Sequence, residues 1–126
     1  MILADSDCAI DFLRGRVPLD GFFATQLMSN QIAVATITVF ELLLGAQVRG
    51  RLDVEDILAR VDILPVSEIS ARLAAEEGSR LAASGNRLAT PDLLIAGVAL
   101  EYGLPLVTRN RRHFGRINGL TLLDPD

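Results

Sequence analysis

Short apolar runs alternate with longer stretches of helical periodicity along the chain. Ile2-Leu3-Ala4 is brief, wholly apolar and ends at Asp5, which predicts a buried strand. Ile32 to Ala35, Ile63-Leu64 and Leu104 to Val107 repeat the pattern, and Leu120 to Leu123 is a candidate fifth strand at an edge. Between them lie 7–15, 19–29, 37–49, 53–61, 67–84 and 91–102, each long enough for a helix. Strands alternating with such helices predict an α/β fold: a parallel sheet of four to five strands with helices on both faces, three layers in all.

Several boundaries carry physical markers. Thr90-Pro91-Asp92 reads as N-cap, N1 proline and first-turn acid. The helix it opens, Leu93 to Leu100, is apolar on every side and is predicted to be buried, with its stop at Gly103. Ser84-Gly85-Asn86 ends the helix before it. The helix from Ile37 is apolar almost all round, interrupted by Glu41.

In a parallel sheet, ligands gather beyond the carboxyl ends of the strands. The polar residues there are Asp5, Ser6 and Asp7 after the first strand, and Thr36, Thr38 and Glu41 after the second. Thr108, Arg109 and Asn110 follow the fourth strand, and Asp92 opens the buried helix. If those strands are neighbours, Asp5, Glu41, Asp92 and Asn110 converge on one cleft. Two carboxylates about 5 Å apart at an effective dielectric near ~20 repel by roughly 3 kcal/mol. One of three would then stay protonated, unless a divalent cation reversed the sign. The donors are oxygens, so the expected ion is hard, Mg²⁺ or Mn²⁺, able to activate water and offset charge on a phosphodiester under attack.

Each residue also has a plainer reading. Asp92 can complement the helix dipole, and Asp5 or Asp7 can cap the first helix, Asp7 more as a cap or supporting residue than as a ligand. Asn110 can be a turn residue. Glu41 is harder to explain structurally, because Ile37, Thr38, Leu44 and Gly45 flank it at helical spacing and no cation sits at i+4. The joint occurrence carries more weight than any single residue.

Composition narrows the classes. With 126 residues, half of them apolar and 22% charged, the chain is expected to form one domain over 1–126 with a real core. The single Cys8 excludes a disulfide framework and suits a reducing, cytoplasmic setting. No apolar run is long enough for a membrane span and no signal-peptide pattern opens the chain, so no membrane partner is expected. A net charge of −4 argues against a coat for nucleic acid. That charge is uneven: residues 109–116 carry +4 through Arg109, Arg111, Arg112 and Arg116, which leaves −8 on the rest. The cluster is either a solvated, helix-like turn or a set of guanidinium forks holding a nucleic-acid backbone beside the acids. His113 within it reads as a surface or packing residue. There is no lysine anywhere.

Four stretches together resemble the PIN-domain nucleases, in particular the VapC-type ribonuclease toxins of toxin–antitoxin modules. They are Met1 to Leu13 with Asp5, Ala35 to Gly45 with Glu41, Thr90 to Ala96 with Asp92, and Leu106 to Phe114. The resemblance implies a PIN-like three-layer fold and a Mg²⁺-dependent endoribonuclease. It implies Asp5, Glu41, Asp92 and Asn110 as catalytic, the first three as metal ligands. Ser6, Asp7 and Thr108 stand behind them, and Arg109, Arg111 and Arg112 face RNA phosphates. It further implies a homodimer, a tRNA or rRNA substrate, and a VapB-like antitoxin through which alone operator DNA is bound. The fourth position departs from the family, which often has Asp where this chain has Asn110 or His113, so a second ion would be weakly held.

Two rivals remain. A PIN-like scaffold could bind RNA or a partner while cutting little. Asp5-Ser6-Asp7 also mimics the nucleophile and acid of haloacid-dehalogenase-type phosphohydrolases, but that chemistry normally uses a lysine.

Overall fold

Alternation within each strand decides which side of the sheet it feeds. In the computed structural model, which describes residues 1–49 and 51–126, the strands are β1 (Ile2–Ala4), β2 (Ile32–Ala35), β3 (Asp62–Leu64), β4 (Leu106–Val107) and β5 (Leu122–Leu123). They pair in the order β3-β2-β1-β4-β5, every pairing parallel. Ile2 lies opposite Ile32, and Ala4 opposite Val107. The helices are α1 (Ser6–Leu13), α2 (Phe22–Met28), α3 (Thr36–Arg49), α4 (Arg51–Leu58), α5 (Glu68–Ala83), α6 (Thr90–Tyr102) and α7 (Arg111–Phe114).

Leu3, Ala33, Ala35 and Leu106 point to one face, where they meet Leu81 of α5, Ile95, Ala96, Val98 and Ala99 of α6, and Phe114 of α7. Ile2, Ala4, Ile32, Val34 and Val107 point to the other, against Cys8 of α1 and Phe23 and Leu27 of α2. Phe12 and Phe23 add a tilted ring contact at 5.8 Å. Ala9, Leu42, Ala46 and Val54 form a smaller cluster where α1, α3 and α4 meet. Each fully buried large side chain stabilises the layers by about 1.5–3 kcal/mol. The three-layer α/β/α architecture predicted from the alternation is the one observed.

The sheet runs outward from β1 through β2 to β3, then returns to β4 and β5 on the other side. The direction reverses between β1 and β4, and in open α/β sheets ligands bind beyond the carboxyl ends of the strands at such a point. Asp5 and Thr108 are the residues that follow those two strands.

Several boundaries differ from the sequence expectation. Helix α2 begins at Phe22 rather than 19, because the Gly21 amide closes a turn on the Pro18 carbonyl (3.1 Å) and leaves Leu19 in solvent. The fourth strand starts only at Leu106, since the Leu104 amide is taken by the Ala99 carbonyl at the end of α6 (3.0 Å). That turn runs through Gly103 at φ +64°, as the sequence suggested. Thr90 is not the N-cap of α6. Ala89 occupies that place with extended backbone and no side-chain bond, and Thr90 and Pro91 sit in the first turn. Residues 111–114, read as a solvated, helix-like turn, form the short helix α7, but its Phe114 is buried in the core rather than solvated. Helix α3, apolar almost all round, carries part of that apolar surface in solvent: Phe40 is 60% and Leu44 62% exposed.

Close packing places α6. A Cβ on Gly97 would stand 2.3 Å from the Ser70 carbonyl oxygen of α5, so only glycine allows the helices to lie this close. Asp92 lies in the first turn of the same helix.

Candidate active site

Asp5 is 3% exposed and occupies the N-cap of α1, where its Oδ1 accepts from the Cys8 amide at 2.9 Å. Its Oδ2 accepts from the hydroxyl of Thr108, fully buried after β4. The capping reading and the site reading of Asp5 therefore coincide: one oxygen holds the helix and the other holds the neighbouring strand. The Cys8 thiol donates to the Val107 carbonyl at 3.4 Å; burial first, then the Asp5 charge, pushes that thiol up, so it is inert.

Glu41 lies one turn into α3 and its Oε1 accepts from the Ser6 hydroxyl at 2.5 Å. Ser6 Oγ also stands 3.4 Å from the Thr38 hydroxyl oxygen, and both hydroxyls are buried. Ser6 thus ties α1 to α3 and orients the carboxylate. Asp7, one residue on, is exposed.

The electrostatics report what stands near what. Burial, opposed by the bonds from Thr108 and Cys8, raises the Asp5 carboxyl above the usual range, and Asp7 raises it further. Burial also raises Asp92, followed by the charge of Asp5 and then those of Asp7 and Glu41, while His113 opposes them. Carboxylates from three separated stretches, with His113, therefore share one field. His113, which the sequence suggested as a surface or packing residue, is exposed yet within that field. Only its position in α7 reveals this.

Among the described residues, no three His, Cys, Asp or Glu side chains come close enough to enclose one ion. Fields extend further than coordination spheres, so this agrees with the mutual influence just described. A hard cation such as Mg²⁺ is ordinarily held by one or two carboxylates plus water and phosphate rather than by an all-protein cage. A donor set of oxygens only, whose charge burial and neighbouring acids disfavour, fits such an ion.

Asn110 occupies the N-cap of α7 without capping it through its side chain, and its backbone amide donates to Thr108 Oγ1 at 2.9 Å. Arg111 and Arg112 are exposed on α7. Arg109 is engaged elsewhere: it pairs with Asp11 at 3.1 Å and with Asp126 at 2.6 Å. Those partners lie far away in sequence, so no local pattern announced them.

A family model described as PIN domain matches residues 2–120. The chain belongs to the PIN-domain family. Among relatives of this PIN domain, Ribonuclease VapC10 of Mycobacterium tuberculosis is 34% identical over 114 residues, covering 90% of this chain and 86% of that protein. The tRNA(fMet)-specific endonuclease VapC of Shigella flexneri is 30% identical over 103 residues and 78% of each chain. The crystal structure of DNA-bound VapBC from Salmonella typhimurium matches with a TM-score of 0.81 at 26% identity, over 100% of both chains. PIN-domain ribonucleases generally use divalent metals. The family match sets aside the haloacid-dehalogenase alternative.

Proposed function

We propose that this PIN domain is the endoribonuclease toxin of a toxin–antitoxin module, hydrolysing RNA phosphodiester bonds at the cleft of Asp5, Glu41 and Asp92. The observation that carries the reading is the placement of these acids at the sheet's switch point: Thr108, after β4, holds Asp5, after β1, and Ser6, beside Asp5, holds Glu41, while Asp5 and Glu41 both raise Asp92. Of Asp5, Asp92 and Glu41, one or two carboxylates would hold Mg²⁺ or Mn²⁺ at a time, with water and phosphate completing its shell. When bound, such an ion supplies water activation at neutral pH and neutralises charge on the phosphate.

The chain's own residues do the rest. The Cys8 amide and Thr108 hydroxyl fix the Asp5 carboxylate, and Ser6 fixes Glu41. Arg111 and Arg112, exposed beside the cleft, are the guanidinium groups that meet RNA phosphates. Arg109 reaches RNA only by leaving Asp11 and Asp126, so it contributes mainly by anchoring the chain end at Asp126.

The substrate class is tRNA or rRNA, in line with the relative named for tRNA(fMet). The partner is a small VapB-like antitoxin, and operator DNA is bound through it, since a net charge of −4 gives this chain no bulk attraction for duplex DNA. Phe40 and Leu44, exposed one turn apart on α3, provide apolar surface suited to a protein partner, including a second copy. No helix among the described residues is long and apolar enough to cross a membrane. The single Cys8, a free thiol, supports a reducing, cytoplasmic working location.

The test is cleavage of a mixed RNA pool with and without Mg²⁺, followed by sequencing of new 5′ ends. Cleavage lost in Asp5→Asn and Asp92→Asn is the expected result. Equal RNA binding by all three proteins with no cleavage would instead establish a binding scaffold.

A further inference from the structure

The hydrogen bonds at the end of β4 continue past the acids. Thr108 donates to Asp5, and the same hydroxyl oxygen accepts from the Asn110 amide at 2.9 Å. The side-chain Nδ2 of Asn110 then lies 3.0 Å from Nδ1 of His113. An amide nitrogen can only donate, so Nδ1 accepts, and a neutral imidazole that accepts at Nδ1 carries its proton on Nε2. Asn110 has no capping bond to α7, so this contact is the role its side chain has.

The surroundings indicate what the ring is for. His113 is exposed, it follows exposed Arg111 and Arg112 in the same helix, and no acid lies within residues 109–116. Asn110, which its ring contacts, donates its backbone amide to the Thr108 hydroxyl that holds Asp5, so the ring stands two hydrogen-bonded residues away from that carboxylate. A donor at the border between a basic turn and an acidic cleft is placed for an anionic strand passing from one to the other.

Resting on the ribonuclease reading above, we propose that His113 binds the RNA strand by donating its Nε2–H to a non-bridging phosphate oxygen, with Asn110 as the positioning residue that sets ring orientation and tautomer. In this chain the fourth corner of the cleft is a hydrogen-bond donor rather than a fourth carboxylate. The ring is coupled to the Asp5 carboxylate through Asn110 and Thr108, which keeps the phosphate contact in register with the acids.

The chain has a single histidine, so its imidazole ¹⁵N resonances need no assignment. Asp92→Asn protein, in chelator, is titrated with a mixed-sequence single-stranded oligoribonucleotide while imidazole shifts and Kd are followed. The Nε2–H tautomer is expected in the free protein and is lost in Asn110→Ala. RNA is expected to move the Nε2 resonance, and His113→Ala to weaken binding about tenfold. Asn110→Ala should weaken it similarly, with no further loss in the double variant, because Asn110 acts through His113. Asn110→Asp, which replaces the donor with an acceptor, should also weaken binding.

An unchanged Kd in His113→Ala, additive losses, or stronger binding by Asn110→Asp overturns the proposal. Wild-type cleavage of the same RNA is measured alongside. If wild type cuts and His113→Ala binds and cuts equally well, only this proposal fails. If wild type never cuts but RNA binding still depends on His113, the ribonuclease reading fails alone. Absence of any RNA binding overturns both.

Discussion

The Thr108 hydroxyl donates to Oδ2 of Asp5, joining the residues that follow β4 and β1 across the point where the sheet reverses direction. Because Thr108 Oγ1 also accepts from the Asn110 amide, Thr108→Val removes a donor from a buried carboxylate and an acceptor from a backbone N–H. A loss of about 1–3 kcal/mol is expected in urea melts, with reduced RNA cleavage. Thr108→Ser should restore both; failure of the serine to do so would show that packing, not the hydroxyl, matters.

Asp5 and Asp92 are held in a folded state that disfavours their charge. Their carboxyls are raised from 3.8, chiefly by burial. Proton binding at these groups therefore contributes stability that is complete below 3.8 and is lost as pH rises through the folded values. In chelator at neutral pH, Asp92→Asn should melt about 3 °C higher than wild type while its RNA cleavage is abolished. A lower melting temperature would mean that the Asp92 charge is not opposed by its neighbours.

Adding Mg²⁺ or Mn²⁺ should reverse that order. A cation that binds only the folded wild type stabilises it by about 2.7 kcal/mol at a hundredfold excess over Kd, so its melting temperature rises with cation concentration. Asp5→Asn and Asp92→Asn should show no such rise. Calorimetric melts across a metal series, returned to baseline with chelator, measure it directly.

Glu77 and Arg80 make a different kind of contribution, away from the cleft. Glu77, with its side chain 11% exposed, accepts two bonds from Arg80, each 2.9 Å, and one from the Asn118 amide at 2.5 Å. The Arg80 bond lowers its carboxyl from 4.5, against the effect of burial. A lowered carboxyl contributes stability present above 4.5 that is lost as pH falls through the folded value. Glu77→Gln should thus destabilise by about 1–3 kcal/mol at neutral pH. The gap should narrow as denaturant melts are repeated at progressively lower pH.

Gly97→Ala tests the placement of α6. The added Cβ meets the Ser70 carbonyl oxygen at 2.3 Å, so α5 and α6 must move apart. Overpacking of this kind costs about 1–3 kcal/mol. Because Asp92 rides on α6, cleavage should fall by more than stability alone explains, as measured below the melting transition.

The layers were legible in the sequence because burial follows a local period. Alternation in Ile2-Leu3-Ala4 and Ile32 to Ala35 assigns each side chain to a face, and Gly103 marks a helix end by its left-handed backbone. The acids Asp5, Glu41 and Asp92 were legible for a similar reason, as polar residues at element ends within apolar surroundings. Thr90 misled because a Thr-Pro-Asp string suits either the cap or the first turn, and the choice rests on backbone dihedrals at Ala89.

The sequence by itself determined the α/β layering and the residues that end at the cleft, since both are set by spacing along the chain. Tertiary structure alone decided which groups meet. It paired Arg109 with Asp11 and Asp126 rather than leaving it free, and it linked Asp5 through Thr108 and Asn110 to His113. Those contacts join residues up to 103 positions apart, set by strand order and by how closely Gly97 lets α6 approach. Neither hydrophobic period nor local propensity carries information over that separation.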